Sequence, residues 1–475
     1  MPNSIQQLGP SHSRSSILLL LLALFAFSPA SPAQQRRERE PNSVYAQRRA
    51  ALAAQVDSPI LLLGFTGREE SSQSYLFAQE DNFYYLTGHN EEGAALLILP
   101  SVEKQSLVTN VTDTWTGPRE ILFLPARNLK KEAWNGPRLA PDDPAIREKT
   151  GFASVLSADT QLRPTVEQLA HLYHDFFTIL PYEQENGGYP HEKEFAAWLG
   201  ELAPKVALQD IRAKISRLRE IKSPGEIAFL QRAIDLSVDA HLEAMRRMRP
   251  GLFEYQIAAA MTAVHLAGGA ESEGYAPIVG AGFNSTVLHY DKLDRRIAPG
   301  DIVVLDVAAQ FSGYSADITR TLPASGKFSP RQREIYEIVL AAQNAAISSL
   351  KPGMTFCREG KNSAYKIAFN YINSHGKDLH GKSLGPYFIH GLGHNIGLDV
   401  HDPGDYCRPL EPGMVVTVEP GIYIPEENLG VRIEDDVLIT PTGYQLLSER
   451  LPRDPAAIER LMAESLTAAA QPPKP

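Results

Sequence analysis

The chain has 475 residues, enough for two or three domains, and its 43% hydrophobic and 21% charged residues are ordinary for a globular protein. A formal net charge of −10 at pH 7 excludes the basic footprint of a nucleic-acid-binding surface; basic pairs such as Arg246 with Arg247 are too short to supply one. Two cysteines, Cys357 and Cys407, exclude a disulfide scaffold and a cysteine-based zinc site, and their spacing leaves open whether they pair.

Residues 1–33 read as a signal peptide: Arg14 precedes an apolar run at 17–27, and Ser31 and Ala33 offer small residues for cleavage. The run is shorter than the about 20 residues of a spanning helix. The mature chain is therefore expected to be exported, periplasmic or extracellular, with no stable membrane span. Residues 34–42 are polar and charged, a flexible leader. A helical pattern covers residues 43–56, and strand-like runs follow at 59–65, 83–88 and 93–100, so residues 43–175 form a mixed α/β unit. Gly, Asn and Pro collect at 183–190, inside an expected inter-domain connection at 176–210.

The second unit spans residues 211–460. Ser223 and Pro224 open a helix that runs to residue 248, Pro250 and Gly251 stop it, and a second helix covers 254–267. Strands are expected at 277–281, 286–290 and 302–308, a helix at 330–350, and strands at 414–424 and 430–440. A last helix at 455–468 enters a tail at 461–475.

Two acidic pairs stand out in apolar strands. Asp306 and Asp317 are equidistant from a centre between residues 311 and 312, where Phe311, Ser312 and Gly313 suggest a turn. A symmetric hairpin would bring their Cβ atoms to about 4.5–5.5 Å. Something positive should lie between them, and alternation sends Arg320 to the opposite face. Glu419 and Glu434 are equidistant from a centre between Glu426 and Glu427; the same logic pairs them, with Tyr423 beside Glu419 and Arg432 beside Glu434. Pro420 and Pro425 make that register less secure. Each pair alone also fits a solvated acidic hairpin. Together, four carboxylates would balance two divalent cations, and an oxygen-rich set suits manganese or magnesium better than a structural zinc. Two such ions can share a bridging hydroxide and drive hydrolysis of a polarised carbonyl or phosphoryl bond. The glycines at 391, 393 and 397 are too widely spaced for a dinucleotide loop, and the chain has no G-x-S-x-G elbow.

The segments LDVAAQFSGYSADITRT, HGLGHNIGLDVHD, TVEPGIYI and VRIEDD, in this order and spacing, resemble the signatures of the pita-bread metallopeptidases, and the branch they resemble is that of aminopeptidase P and prolidase. The likeness covers residues 211–460 and extends more weakly to DNFYYLTGHNEEGAALLILP. It implies an α/β (α+β) fold: an N-terminal mixed domain of creatinase/aminopeptidase P type and a C-terminal pita-bread catalytic domain. Methionine aminopeptidases lack such an N-terminal domain, and creatinases lack the full ligand set. The resemblance implies metal ligands Asp306, Asp317, His394, Glu419 and Glu434, with Asp317 and Glu434 bridging two ions, manganese ahead of cobalt or zinc. It makes Glu419 the proton shuttle. It places His289, His390 and His401 on the substrate side and has Tyr423 and Arg432 orient ligands and intermediate. By itself, His289 reads as a satisfied core histidine. The implied activity is removal of an N-terminal residue that precedes proline, by a homo-oligomer, dimer or tetramer. A prolidase acting on Xaa-Pro dipeptides is the alternative; a non-catalytic binding protein would be expected to have lost ligands.

Overall fold

The computed structural model describes residues 37–67, 77–101, 115–181 and 190–469. The expected signal peptide, the first part of the leader, residues 183–189 of the Gly/Asn/Pro cluster and the tail from residue 470 lie outside the described residues. The described end of the expected flexible leader is fastened. Arg39 Nη1 donates to the Lys149 carbonyl at 3.1 Å, and Ser223 Oγ donates to Glu40 Oε1 at 2.7 Å.

The N-terminal unit is built on a six-stranded mixed sheet. Its order is Val155–Ser157, Glu120–Leu124, Ala95–Ile98, Ile60–Leu63, Asp175–Thr178, Ala207–Asp210. Side chains alternate across it. Leu62, Leu96, Leu122 and Leu124 join the main core, while Leu61, Leu97, Ile121 and Phe123 fill a second one. The helix Asn42–Ala53 forms where its pattern lies. The run 83–88 forms no strand; it lies in the helix Asp81–Thr87. Aromatic content is a weak strand prior, and capping overrides it: the Glu80 carboxylate accepts the Phe83 N–H at 2.7 Å, and Gly88, at φ 67°, closes the far end. Residues 176–210 are more than a connection. They complete one strand and supply another, Ala207–Asp210, with the helix Pro190–Leu202 between. The two strands are parallel, and such pairs need a crossover that local patterns do not announce.

In the second unit the helix Pro224–Arg247 carries a capping box: Ser223 Oγ accepts the Glu226 N–H at 3.1 Å and Glu226 Oε2 accepts the Ser223 N–H at 2.8 Å. Helices Glu254–Ala267, Pro330–Ser349 and Pro455–Ala469 follow as expected, with Ala364–Ser374 in addition. The strand expected at 286–290 is absent. Gly282–Thr286 is a 3₁₀ turn, because the Ser285 and Thr286 hydroxyls fold back onto the Gly282 and Phe283 carbonyls. His289 therefore sits in a turn.

The glutamate hairpin keeps its expected register. Gly421 faces Arg432, Ile424 faces Leu429, and beyond the break Val418 faces Asp435. The aspartate hairpin is offset by two residues: Asp306 faces Thr319, and Phe311 faces Tyr314. The turn is Ser312–Gly313 alone, with φ 53° and 84°, the geometry that matches strand twist. Asp317 then lies diagonal to Asp306 on the same face, still within reach.

Ser329 caps the helix Pro330–Ser349 in the same way, its Oγ accepting the Gln332 N–H at 3.2 Å. Loss of the cap in Ser223→Ala or Ser329→Ala should cost about 1 kcal/mol each. Ser223→Ala also loses the bond to buried Glu40 and should lower the melting temperature more. Equal shifts would show that the Glu40 bond adds no stability.

Candidate active site

All four acids sit where strands are interrupted. Asp306 ends Ile302–Asp306, and Asp317 lies between Tyr314–Ser315 and Thr319–Pro323. Glu419 follows Val415–Val418, just before Pro420, and Glu434 separates Leu429–Arg432 from Asp435–Ile439. Interrupted ladders leave carbonyls that need donors. Gln343 Nε2 donates to the Val418 and Ile433 carbonyls at 3.0 and 3.1 Å. Arg320 Nη1 donates to the Glu434 carbonyl at 2.6 Å, and His241 Nε2–H reaches the Val307 and Ile318 carbonyls, each at 3.1 Å. Arg320 faces away from Asp317, as alternation requires, and pairs with Asp435 at 2.7 Å.

Donor atoms of Asp306, Asp317 and Glu434 lie within 4.8 Å of one another; so do those of His394, Glu419 and Glu434, and those of Asp317, His394 and His401. Asp317, His394 and Glu434 each belong to two of these sets, and of the three only the carboxylates of Asp317 and Glu434 have two oxygens to share. His394 Nδ1–H donates to the Asn395 carbonyl at 3.0 Å, which turns Nε2 toward Asp317 Oδ2 at 3.3 Å and Glu419 Oε1 at 3.6 Å. Burial alone would lower the His394 imidazole, but the bond to Asp317 and the Glu419 charge carry it up to about 9. Burial lifts the Glu419 carboxyl to about 7 against the pull of His394. Burial and then Asp317 push Glu434 well above the carboxylate range. The cluster thus retains protons where a cation would sit, and its oxygen-rich donors fit divalent ions.

Further groups hold the acids in place. Arg432 Nη2 donates to Asp306 Oδ2 at 2.7 Å, Nη1 to the Tyr423 hydroxyl at 2.9 Å and Nε to Thr319 Oγ1 at 3.2 Å. Thr319 Oγ1 in turn donates to Glu434 Oε2 at 2.7 Å. Tyr275 was not legible in the sequence, since no pattern marks it. Its hydroxyl lies 2.5 Å from Asp306 Oδ1 and 2.7 Å from Asp317 Oδ1, so its single hydrogen serves two carboxylates. Nor does any pattern mark Asp436, whose Oδ2 accepts the Asp317 N–H at 3.2 Å.

These acids line a cavity of about 620 Å³ together with His289, His390 and His401. His289 is exposed there and is no core histidine. His401 is also exposed, its ring centroid 4.3 Å from that of His394. His390 has both nitrogens engaged. Nδ1–H donates to the Gly391 carbonyl at 2.8 Å, and Nε2 accepts from the Tyr423 hydroxyl at 2.8 Å. Burial, then Arg432, lowers its pKa to about 3, so the ring is neutral and fixes Tyr423. Two glycines of the loop serve packing: a Cβ on Gly393 would lie 2.1 Å from the Thr417 carbonyl oxygen and one on Gly397 2.6 Å from the Asp402 carboxyl, whereas Gly391 has room for one. Cys357 and Cys407 form a disulfide in the cavity wall.

Residues 228–441 match Metallopeptidase family M24, and residues 45–173 match the N-terminal domain of aminopeptidase P. Over 450 residues the chain is 35% identical to the Xaa-Pro aminopeptidase of Haemophilus influenzae, covering 89% of this chain and 97% of that protein. The chain belongs to the Xaa-Pro aminopeptidases of this metallopeptidase family. It is 34% identical to the Escherichia coli Xaa-Pro aminopeptidase, over 88% of this chain and 97% of that one. Among solved structures, Escherichia coli aminopeptidase P with the inhibitor Pro-Leu superposes with a TM-score of 0.75 at 31% identity, covering 90% of this chain and 100% of that chain. Proline aminopeptidase P II from Yersinia pestis superposes with a TM-score of 0.74 at 33% identity and the same coverage.

For this family member, metal uptake by the metal-free protein should release protons. His394 holds its proton below about 9, so affinity should rise as pH rises toward that value. Calorimetric titration against a competing chelator at several pH values measures this; a pH-independent affinity would remove His394 Nε2 from the ligand set.

Proposed function

We propose that this metal-dependent Xaa-Pro aminopeptidase is an exported, dinuclear manganese enzyme that removes the first residue of peptides with proline in second place. One observation carries the dinuclear reading: Asp317 and Glu434, carboxylates with two oxygens each, both belong to two donor sets facing one cavity. Asp306 would complete one ion's shell, and His394 with Glu419 would complete the other's. The oxygen-rich donors favour manganese. Two divalent cations, when bound, lower the pKa of a water and polarise the scissile carbonyl.

The chain's own groups do the rest. Glu419 accepts the proton of the attacking water and returns it to the proline nitrogen as the C–N bond breaks. The Thr417 hydroxyl, 3.4 Å from Glu419 Oε1, helps hold that carboxylate in place. His401 and His289, both exposed in the cavity, face the scissile carbonyl and the developing oxyanion. Arg432 orients Asp306 and Tyr423, and His390 buttresses Tyr423. The Cys357–Cys407 disulfide supports export, because such bonds persist in oxidising compartments. In the assembly this reading expects, a dimer or tetramer, the N-terminal unit narrows the cleft and admits only free N-termini.

Glu419→Gln should abolish turnover; full activity would refute the shuttle. His401→Ala should lower kcat by about 100-fold or more while metal content holds. Metal loss in proportion to activity would make His401 a ligand instead. Chelated enzyme given manganese, cobalt, zinc or magnesium should recover most with manganese on an Xaa-Pro-Yaa tripeptide. Cleavage of Xaa-Pro dipeptides alone would make the enzyme a prolidase.

A further inference from the structure

The loop that presents His401 to the cavity is anchored from behind by a buried cation pair. Asp399 and Asp402 flank His401 in the chain. Arg219 Nη2 donates to Asp402 Oδ1 at 2.6 Å and to Asp399 Oδ2 at 2.7 Å, and Lys222 Nζ donates to Asp402 Oδ2 at 2.8 Å. Arg219 and Asp402 are each only 2% exposed. Burial raises the Asp402 carboxyl, but Arg219 and Lys222 outweigh it and hold it below the ordinary carboxylate range. The Asp402 N–H donates to the Asn395 carbonyl at 2.9 Å, so the same anchor reaches the residue after His394.

Arg219 also faces the other way. It lies in the helix Arg212–Glu220, and its Nη1 donates to Asn82 Oδ1 at 2.8 Å. Asn82 belongs to the helix Asp81–Thr87 of the N-terminal unit. One planar guanidinium thus touches the N-terminal unit with one arm and both acids beside His401 with the other. A lysine has no second arm to copy this.

We propose that Arg219 is a positioning residue for His401, coupling the seat of the N-terminal unit to the placement of that imidazole against the substrate. The inference rests on reading His401 as a substrate-side residue. Removing one partner of a buried pair leaves a charge uncompensated, so Arg219→Lys, which keeps the charge and loses the fork, is the variant of choice.

In the full-length, metal-loaded enzyme, Arg219→Lys should lower kcat by about 10- to 100-fold, with KM and bound metal nearly unchanged. The same substitution in a His401→Ala background should cost nothing further, as expected for residues acting as one unit. Equal fold-losses in both backgrounds, or metal lost in step with activity in the Arg219 variant, would overturn the inference alone. Metal loss from His401→Ala by itself would overturn the reading of His401 and the inference with it. If Arg219→Lys fails to fold, Asp399→Asn decides, since that side chain is 46% exposed and tolerates the change. A kcat loss confined to the enzyme that retains His401 supports the proposal, and an unchanged kcat overturns it.

Discussion

Four carboxylates crowded around one small volume, three of them buried and Glu419 half-buried, repel one another, and the catalytic unit is organised by the need to offset that repulsion. Desolvation and mutual charge lift Glu434 and Asp306 above their ordinary range, while His394 draws Asp317 below it. Arg432 neutralises part of the load at Asp306, and Tyr275 lends its one hydrogen between Asp306 and Asp317. What remains is charge that divalent ions would balance. The donor set is therefore costly without metal and favourable with it, which couples metal binding to the stability of the site.

Placing acids on sheets in this way has a backbone consequence. A continuous ladder alternates side chains and would spread the carboxylates along its length, whereas interruptions at 307–308, 316–318, 419–420 and 433–434 let them converge. Each interruption frees carbonyls that must not stay unpaired. Three fully buried polar side chains, His241, Arg320 and Gln343, meet that need from helices and strands behind the site. They never touch the cavity, yet the ligand geometry leans on them. The N-terminal unit reaches the site by a similar route, through the buried cation pair behind His401.

Local rules were legible where neighbours in sequence decide the outcome. The capping box at Ser223, the helix Glu254–Ala267 and the glutamate hairpin register follow from residues close in the chain. Elsewhere a local signal was outvoted. The aromatic run at 83–88 is helical because Glu80 caps it. The aspartate hairpin turns at Ser312 and Gly313 because both take positive φ, which moves Asp306 opposite Thr319. The parallel pairing of Ala207–Asp210 with Asp175–Thr178 joins residues too far apart for any short window to show.

The sequence by itself determined the residue types that chemistry requires: four acids in apolar strands, His394 between them in chain order, and glycines where backbones must meet. It did so because ligand identity and strand period are local properties. Beyond Tyr423 and Arg432, which strand alternation already set beside the acids, tertiary structure alone decided which groups support those ligands. Tyr275 between two aspartates, Asp436 on the Asp317 backbone, Arg219 behind His401 and the closed pair Cys357–Cys407 join segments up to 183 residues apart. Such contacts arise when distant segments are packed to satisfy buried charge and unpaired carbonyls, and no spacing along the chain encodes that demand.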